Sequence, residues 1–217
     1  MNKNILYITA GLLLISSVVF AKPIVSDGTL DNKTPLTTET TIGSFIADAV
    51  RFSVGSDIAF IAGSEIKAKE NAFASGNVSA ANIQALISFP NDPLVVINLN
   101  GTALKNALER SLSVYPQPNP GFLQVSGLKF NVNPSSAPNQ RVFSILINRK
   151  PIADSQVYTV AMSSSLANGA LGYWRVWDKT ALKQKYPDKS ISKAIEAYIS
   201  SDQETAYQRL DRIVIGQ

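Results

Sequence analysis

Apolar residues recur along this chain with two different spacings, and the spacing changes part-way through. Over Thr41–Arg51, the residues Ile42, Phe45, Ile46, Ala49 and Val50 share one helical face, and Thr40 or Thr41 supplies an N-cap. Ile58–Ile61 is a short apolar run of strand length. Ser79 reads as an N-cap for a helix over Ala80–Ile87, with Ile83, Leu86 and Ile87 turned inward. Leu94–Leu99 is rich in β-branched residues and predicts a buried strand. Gly101 then leads into a helix whose apolar side is Leu104, Ala107, Leu108 and Leu112. Beyond Tyr115 the period shortens. Pro116, Pro118 and Pro120 make 115–121 a loop. Leu123–Val132 predicts one strand, broken or bulged near Gly127. Val142–Ile147 and Ile152, separated by Asn148-Arg149-Lys150-Pro151, predict a hairpin. Val157–Met162 is a further strand. Ile191, Ala194, Ile195, Tyr198 and Ile199 mark a last amphipathic helix, and Arg212–Ile215 closes a sheet edge. Helices precede strands without regular alternation, which predicts a mixed α/β (α+β) domain rather than a doubly wound sheet.

The N-terminus has a different pattern. Lys3 precedes an apolar run from Ile5 to Phe20, and Val19 and Ala21 place small side chains before a cut after Ala21. This predicts a secretory signal peptide over 1–21. The run is short for a bilayer, which takes roughly 20 apolar residues, so the mature chain is expected outside the membrane, in a periplasm or secreted. Lys22–Pro35 is polar and reads as a leader, giving a leader over 22–37 and a domain over 38–217.

Composition narrows the chemistry. Of 217 residues, 45% are hydrophobic and 17% charged, as in a globular chain. The net charge of +4 is scattered rather than gathered into a stripe, so no nucleic-acid partner is expected. There is no cysteine and no histidine. A Ser-His-Asp triad and the usual zinc centres are therefore out of reach. Ser163, Ser164 and Ser165 stand together without an imidazole, and Asn91-Asp92, with a proline on each side, reads as a plain turn. No catalytic residue, metal ligand or cofactor is expected, and the chain should hold a molecule rather than cut one.

Three stretches carry a resemblance: Glu39-Thr-Thr-Ile-Gly-Ser-Phe-Ile-Ala-Asp-Ala49, Gly121-Phe-Leu-Gln-Val-Ser-Gly-Leu-Lys-Phe130 with Arg141-Val142, and Leu166-Ala-Asn-Gly-Ala-Leu-Gly-Tyr173. With the turn Phe89-Pro-Asn-Asp-Pro-Leu-Val-Val96 and the helix opening Leu99-Asn-Gly-Thr-Ala-Leu104, they resemble the C-terminal domain of the 5′-nucleotidase family. The resemblance implies a four-layer α/β/β/α fold with mixed sheets that binds the nucleoside part of a substrate. The family's metal-bearing phosphoesterase domain has no counterpart in these residues.

The resemblance also implies where a ligand would lie. Ala62 stands where the family carries an asparagine, and Lys67 where it carries an arginine. Phe89 matches one base-stacking phenylalanine. Ser165 stands in for the second, and Leu171 for the ribose-binding aspartate. Candidate ligand residues are Lys67 as an anion holder, Phe89 and Tyr173 as aromatic walls, and Asn168, Gly169 and Gly172 in the adjoining turn, with Trp174 and Trp177 at the rim. Three roles remain open: a non-catalytic binding protein for a nucleoside, nucleotide or other small ligand; the recognition subunit of a nucleotide hydrolase acting with a separate metallophosphoesterase chain; and an envelope scaffold presenting the Pro116–Pro120 loop.

Overall fold

Thr40 opens the first long helix because its extended backbone lets its hydroxyl accept the Gly43 N–H. That satisfies one of the donors every helix start leaves open. This helix, α1 (Thr41–Val54), stops where Gly55 adopts a left-handed φ of 66°. In the computed structural model, which describes residues 24–26, 30–73, 76–201 and 211–216, it is preceded by β1 (Ile24–Ser26) and β2 (Leu30–Asn32). After it come β3 (Ile58–Ala62), β4 (Lys69–Phe73), β5 (Gly76–Val78), α2 (Ala80–Gln84), β6 (Pro93–Asn100) and α3 (Gly101–Ser111). The second half runs β7 (Leu123–Ser126), β8 (Leu128–Val132), β9 (Val142–Ile147), β10 (Lys150–Pro151), β11 (Val157–Ser163) and α4 (Ser164–Ala167). It ends with β12 (Leu182–Ser190), α5 (Ile191–Ser200) and β13 (Ile213–Ile215). No helix among the described residues is long and apolar enough to cross a membrane, and the apolar run 5–20 lies outside them.

Two mixed sheets organise the chain. The five-stranded sheet has the order β12-β6-β11-β3-β7, and the four-stranded sheet β10-β9-β8-β13. Within the first, β3 and β11 are parallel; within the second, β8 and β13 are. One face of the larger sheet, with Ala59, Ile61, Leu94, Val96 and Ala161, packs on α1, α2 and α5. The opposite face, with Phe60, Val95, Ile97, Val160 and Met162, meets the smaller sheet and the apolar side of α3. A sheet covered on both faces needs continuous apolar strands, which is why Leu94–Ile97 shows no alternation. Contacts of α3 with both β6 and β9 complete an α+β arrangement of helices around two sheets.

Three sequence expectations need correction. Leu123–Val132 is two strands in different sheets, not one bulged strand. Gly127 is the corner between them, at φ 82°, and a Cβ there would run into the Asp57 carbonyl. Gly127→Ala should therefore cost about 2 kcal/mol from left-handed strain and overpacking, checked by urea unfolding. The helix expected to reach Ile87 ends at Gln84, and Ile87 instead bridges Ile66. The described residues of the stretch 22–35 are not a leader outside the fold. β1 pairs with β5 and β2 with β4, Leu30 is fully buried, and Asn32 Nδ2 donates to the Lys67 carbonyl at 2.8 Å. The expected hairpin forms, with a shorter turn than expected: Lys150 and Pro151 already pair with β9, and Asn148 and Arg149 both take positive φ, which suits the twist of a two-residue turn.

Polar residues inside the first motif have structural partners. Glu39 Oε2 accepts the Arg212 and Ile213 N–H groups at 2.7 and 3.1 Å, and Glu39 Oε1 accepts the Ser44 hydroxyl at 2.7 Å. Asp48 Oδ2 lies 2.7 Å from Arg212 Nη2, and Arg212 Nη1 also donates to the Val125 carbonyl. These contacts dock the strand β13 beside β8.

Candidate functional site

Parallel strands β3 and β11 lie side by side, so both deliver their C-terminal ends to the same edge of the sheet. Segments leaving a sheet in this way diverge and leave a crevice between them. Here the crevice is a cavity of about 270 Å³. The end of β3 and its following turn supply Ala62, Ser64 and Glu65; β11 and α4 supply Ser163, Ser165 and Leu166. Phe89 forms one wall from the turn before β6, and Ala170 and Leu171 close the far side. The lining is mostly apolar and, among the described residues, contains no lysine or arginine.

Local bonds fix each wall. The Ser88 N–H and hydroxyl donate to the Glu65 and Ser64 carbonyls, tying the Phe89 turn to the turn after β3. Asp92 Oδ2 accepts the Ser165 N–H at 3.0 Å, clipping the same turn to the start of α4. Asn91-Asp92 is thus a structural turn. Arg110, on α3, donates from Nη2 to the Leu171 carbonyl at 2.5 Å and holds the far wall. Phe89 itself is 61% exposed, so its ring contributes little to the core.

Glu65 is the one titratable side chain among the described residues of the lining. It is buried, and its Oε2 accepts the Ala62 N–H at 2.7 Å. Burial pushes its carboxyl up to about 7; hydrogen bonds from Ser163 and Ala62 pull the other way, and the nearby Asp92 charge adds to the rise. A buried acid that ionises near neutrality in a crevice is a common mark of a functional position. The sequence reading passed over Glu65. The available signal was a single acid following the wholly apolar strand Ile58–Ala62.

Of the six candidate ligand residues, only Phe89 lines this crevice. Tyr173 is not an aromatic wall. It is fully buried, stacks on Trp177 with ring centroids 4.7 Å apart, and donates its hydroxyl to the Gly121 carbonyl at 2.7 Å. Lys67 is exposed, and its ammonium reaches the Ala85 carbonyl at 3.4 Å rather than the cavity. Asn168 ends α4 and lines a separate hollow with Lys179 and Lys185. Gly169 and Gly172, both at positive φ, shape the loop: one lies against the Trp174 backbone, the other under the Arg110 guanidinium. Neither tryptophan lines the crevice; Trp177 is buried and Trp174 is exposed beneath Arg175. Among the described residues, no group of three acidic side chains converges to hold a metal ion.

The sequence matches the family described as 5′-nucleotidase, C-terminal domain, over residues 21–178. The chain belongs to this family. That span begins ahead of β1, in agreement with a fold that includes the first strands. Mouse 5′-nucleotidase is 31% identical over 134 residues, 58% of this chain and 23% of the mouse protein. A trifunctional nucleotide phosphoesterase of Bacillus subtilis is 29% identical over 146 residues, 63% of this chain and 10% of that protein. The chain therefore spans a quarter or less of the length of these relatives. Among solved structures, a 5′-nucleotidase precursor from Thermus thermophilus superposes with a TM-score of 0.77 at 22% identity, over 89% of this chain and 39% of that one.

Within this 5′-nucleotidase C-terminal domain, four of the five positions that the resemblance aligned with ligand-contacting residues come together, and Lys67 stays outside. Ala62, Phe89, Ser165 and Leu171 all line the crevice. Their spacing in sequence spans about half of the chain, and the parallel pairing of β3 with β11 is what unites them.

Proposed function

We propose that this chain is a recognition module whose crevice takes the planar, uncharged ring of a nucleoside-class molecule, and that it binds without cleaving. The observation that carries this reading is Phe89, a large aromatic left 61% exposed on the wall of a mostly apolar crevice. An exposed ring face offers a base stacking worth about 1–3 kcal/mol. Ser165, where the family carries a second phenylalanine, offers no ring, so stacking is one-sided and binding is weaker than between two rings.

The polar groups favour a ring over a phosphate. Among the described residues no cation lines the crevice, and its one titratable group is an acid. A phosphate placed there would lose its hydration and gain no compensating charge. Binding without cleavage fits the same lining, since a crevice that takes the ring and not the phosphate sets none of these side chains against a phosphoester bond.

Calorimetric titration with adenosine, guanosine, uridine and AMP tests the proposal. Nucleosides should bind, and AMP should bind no more tightly than adenosine. Phe89→Ala should weaken nucleoside binding about 10-fold while leaving the melting temperature unchanged, because the ring is largely outside the core. Flat titrations for all of these ligands would remove the nucleoside reading.

A further inference from the structure

Resting on that reading of the crevice, we infer that Glu65 is its specificity-determining residue and selects rings that present adjacent N–H donors along one edge, as guanine does, over rings that present an acceptor there. The carboxyl lines the crevice beside the Phe89 wall. A carboxylate has about four acceptor positions and, when ionised, no donor. In this protein, the Ala62 N–H takes one, on Oε2, at 2.7 Å. Among the described lining residues there is no cation to pair with the remaining acceptors. A ring stacked on Phe89 with its N–H edge toward Glu65 would satisfy them, and a ring offering a bare nitrogen would set lone pair against lone pair.

The surrounding charges make this recognition depend on protons. Asp92, on the turn between Phe89 and β6, is the charged group that acts on Glu65, and it opposes ionisation. The cations nearby in the chain are directed elsewhere. Lys67 reaches the Ala85 carbonyl, and Arg110, behind Leu171, donates to the Leu171 carbonyl and the Ser113 hydroxyl. A donor edge arriving at the carboxyl favours its charged form. Binding near pH 6 should thus release a proton, and affinity for a guanine-type ring should rise as the pH is raised through neutrality. Replacing the carboxyl with an amide changes the code. Glutamine offers one donor and one acceptor, which matches the adenine edge instead.

The test is calorimetry with guanosine and adenosine on the unmodified protein from pH 5.5 to 8, in buffers of different ionisation enthalpy, and on Glu65→Gln and Phe89→Ala. The expected result is a preference for guanosine of about 10-fold or more at pH 8, narrowing at low pH, with heats at pH 6 that vary with the buffer. Glu65→Gln should lose the pH dependence and shift the preference toward adenosine. Equal binding of the two nucleosides at pH 8, or a Glu65→Gln protein that keeps the guanosine preference, overturns the role of Glu65 while the crevice reading stands, provided Phe89→Ala still weakens binding. Absence of binding by either nucleoside overturns both. The pH and buffer series needs no variant, so a poorly folding Glu65→Gln protein would not leave the inference undecided.

Discussion

Arg212→Ala lowers the unfolding free energy by about 3–5 kcal/mol, seen as a lower urea midpoint with an unchanged slope. Arg212 is 8% exposed and forms an ion pair with Asp48 at 2.7 Å. Its guanidinium also donates to the Val125 and Ser44 carbonyls, so one side chain links β7 and α1 to the C-terminal strand. Removing it deprives the buried Asp48 carboxylate of this ion pair, while the Ser126 hydroxyl still donates to Asp48 Oδ1. The lost ion pair is the larger part of the cost; the lost packing of the arginine stem adds to it. A double variant, Arg212→Ala with Asp48→Ala, should therefore lose less than the sum of the two single changes. If Arg212→Ala costs under about 1 kcal/mol, the level of a solvent-exposed pair, or the two changes prove additive, the docking of β13 does not depend on this network.

Glu65→Gln raises stability by about 3 kcal/mol at pH 8 and leaves it unchanged at pH 4. The sign follows from the direction of the shift. Burial lifts the folded-state carboxyl from the ordinary 4.5 to about 7, so between these values the folded chain holds a proton that the unfolded chain has released. Stability associated with Glu65 is thus fully present below pH 4.5 and is lost as the pH rises to neutrality and beyond. Glutamine, which keeps an acceptor for the Ala62 N–H, carries no such loss. The difference between the two proteins should grow across pH 4.5–7 and level off above it, a profile that chemical denaturation at successive pH values reads directly. A constant difference at all pH values would mean that Glu65 titrates as an exposed acid. A side chain that weakens the fold at neutral pH while lining a crevice is the pattern expected of a group kept for binding.

Much of the architecture was legible because it depends on neighbours in sequence. The helices Thr41–Val54, Gly101–Ser111 and Ile191–Ser200 follow from spacing and caps, and the hairpin at Asn148-Arg149 from its turn. The strand Leu182–Ser190 was not legible. It is an edge strand with charged and exposed residues, and an edge needs no apolar alternation. Residues 30–32, within a mostly polar stretch, were assigned to a leader for a similar reason, since only pairing with β4 shows that Leu30 is covered. At the site, Phe89 was readable as an aromatic in a turn. Tyr173 looked equivalent to it, yet the loop carrying it folds back on Gly121 and places the ring in the core. Glu65 was missed because its one local signal, an acid three residues after a wholly apolar strand, is shared by carboxylates in solvated turns.

The residues themselves determined the family, the mixed helix-and-strand class and the lack of imidazole and thiol chemistry, because each of these is written in residue types and short spacings. Only the tertiary structure decided which side chains share a crevice. The parallel registry of β3 with β11 brings Ala62 beside Ser163, about a hundred residues further along the chain, and burial at that junction turns an ordinary glutamate into an acid that ionises near neutrality. Both effects depend on long-range pairing and on the exclusion of water, which no local pattern encodes.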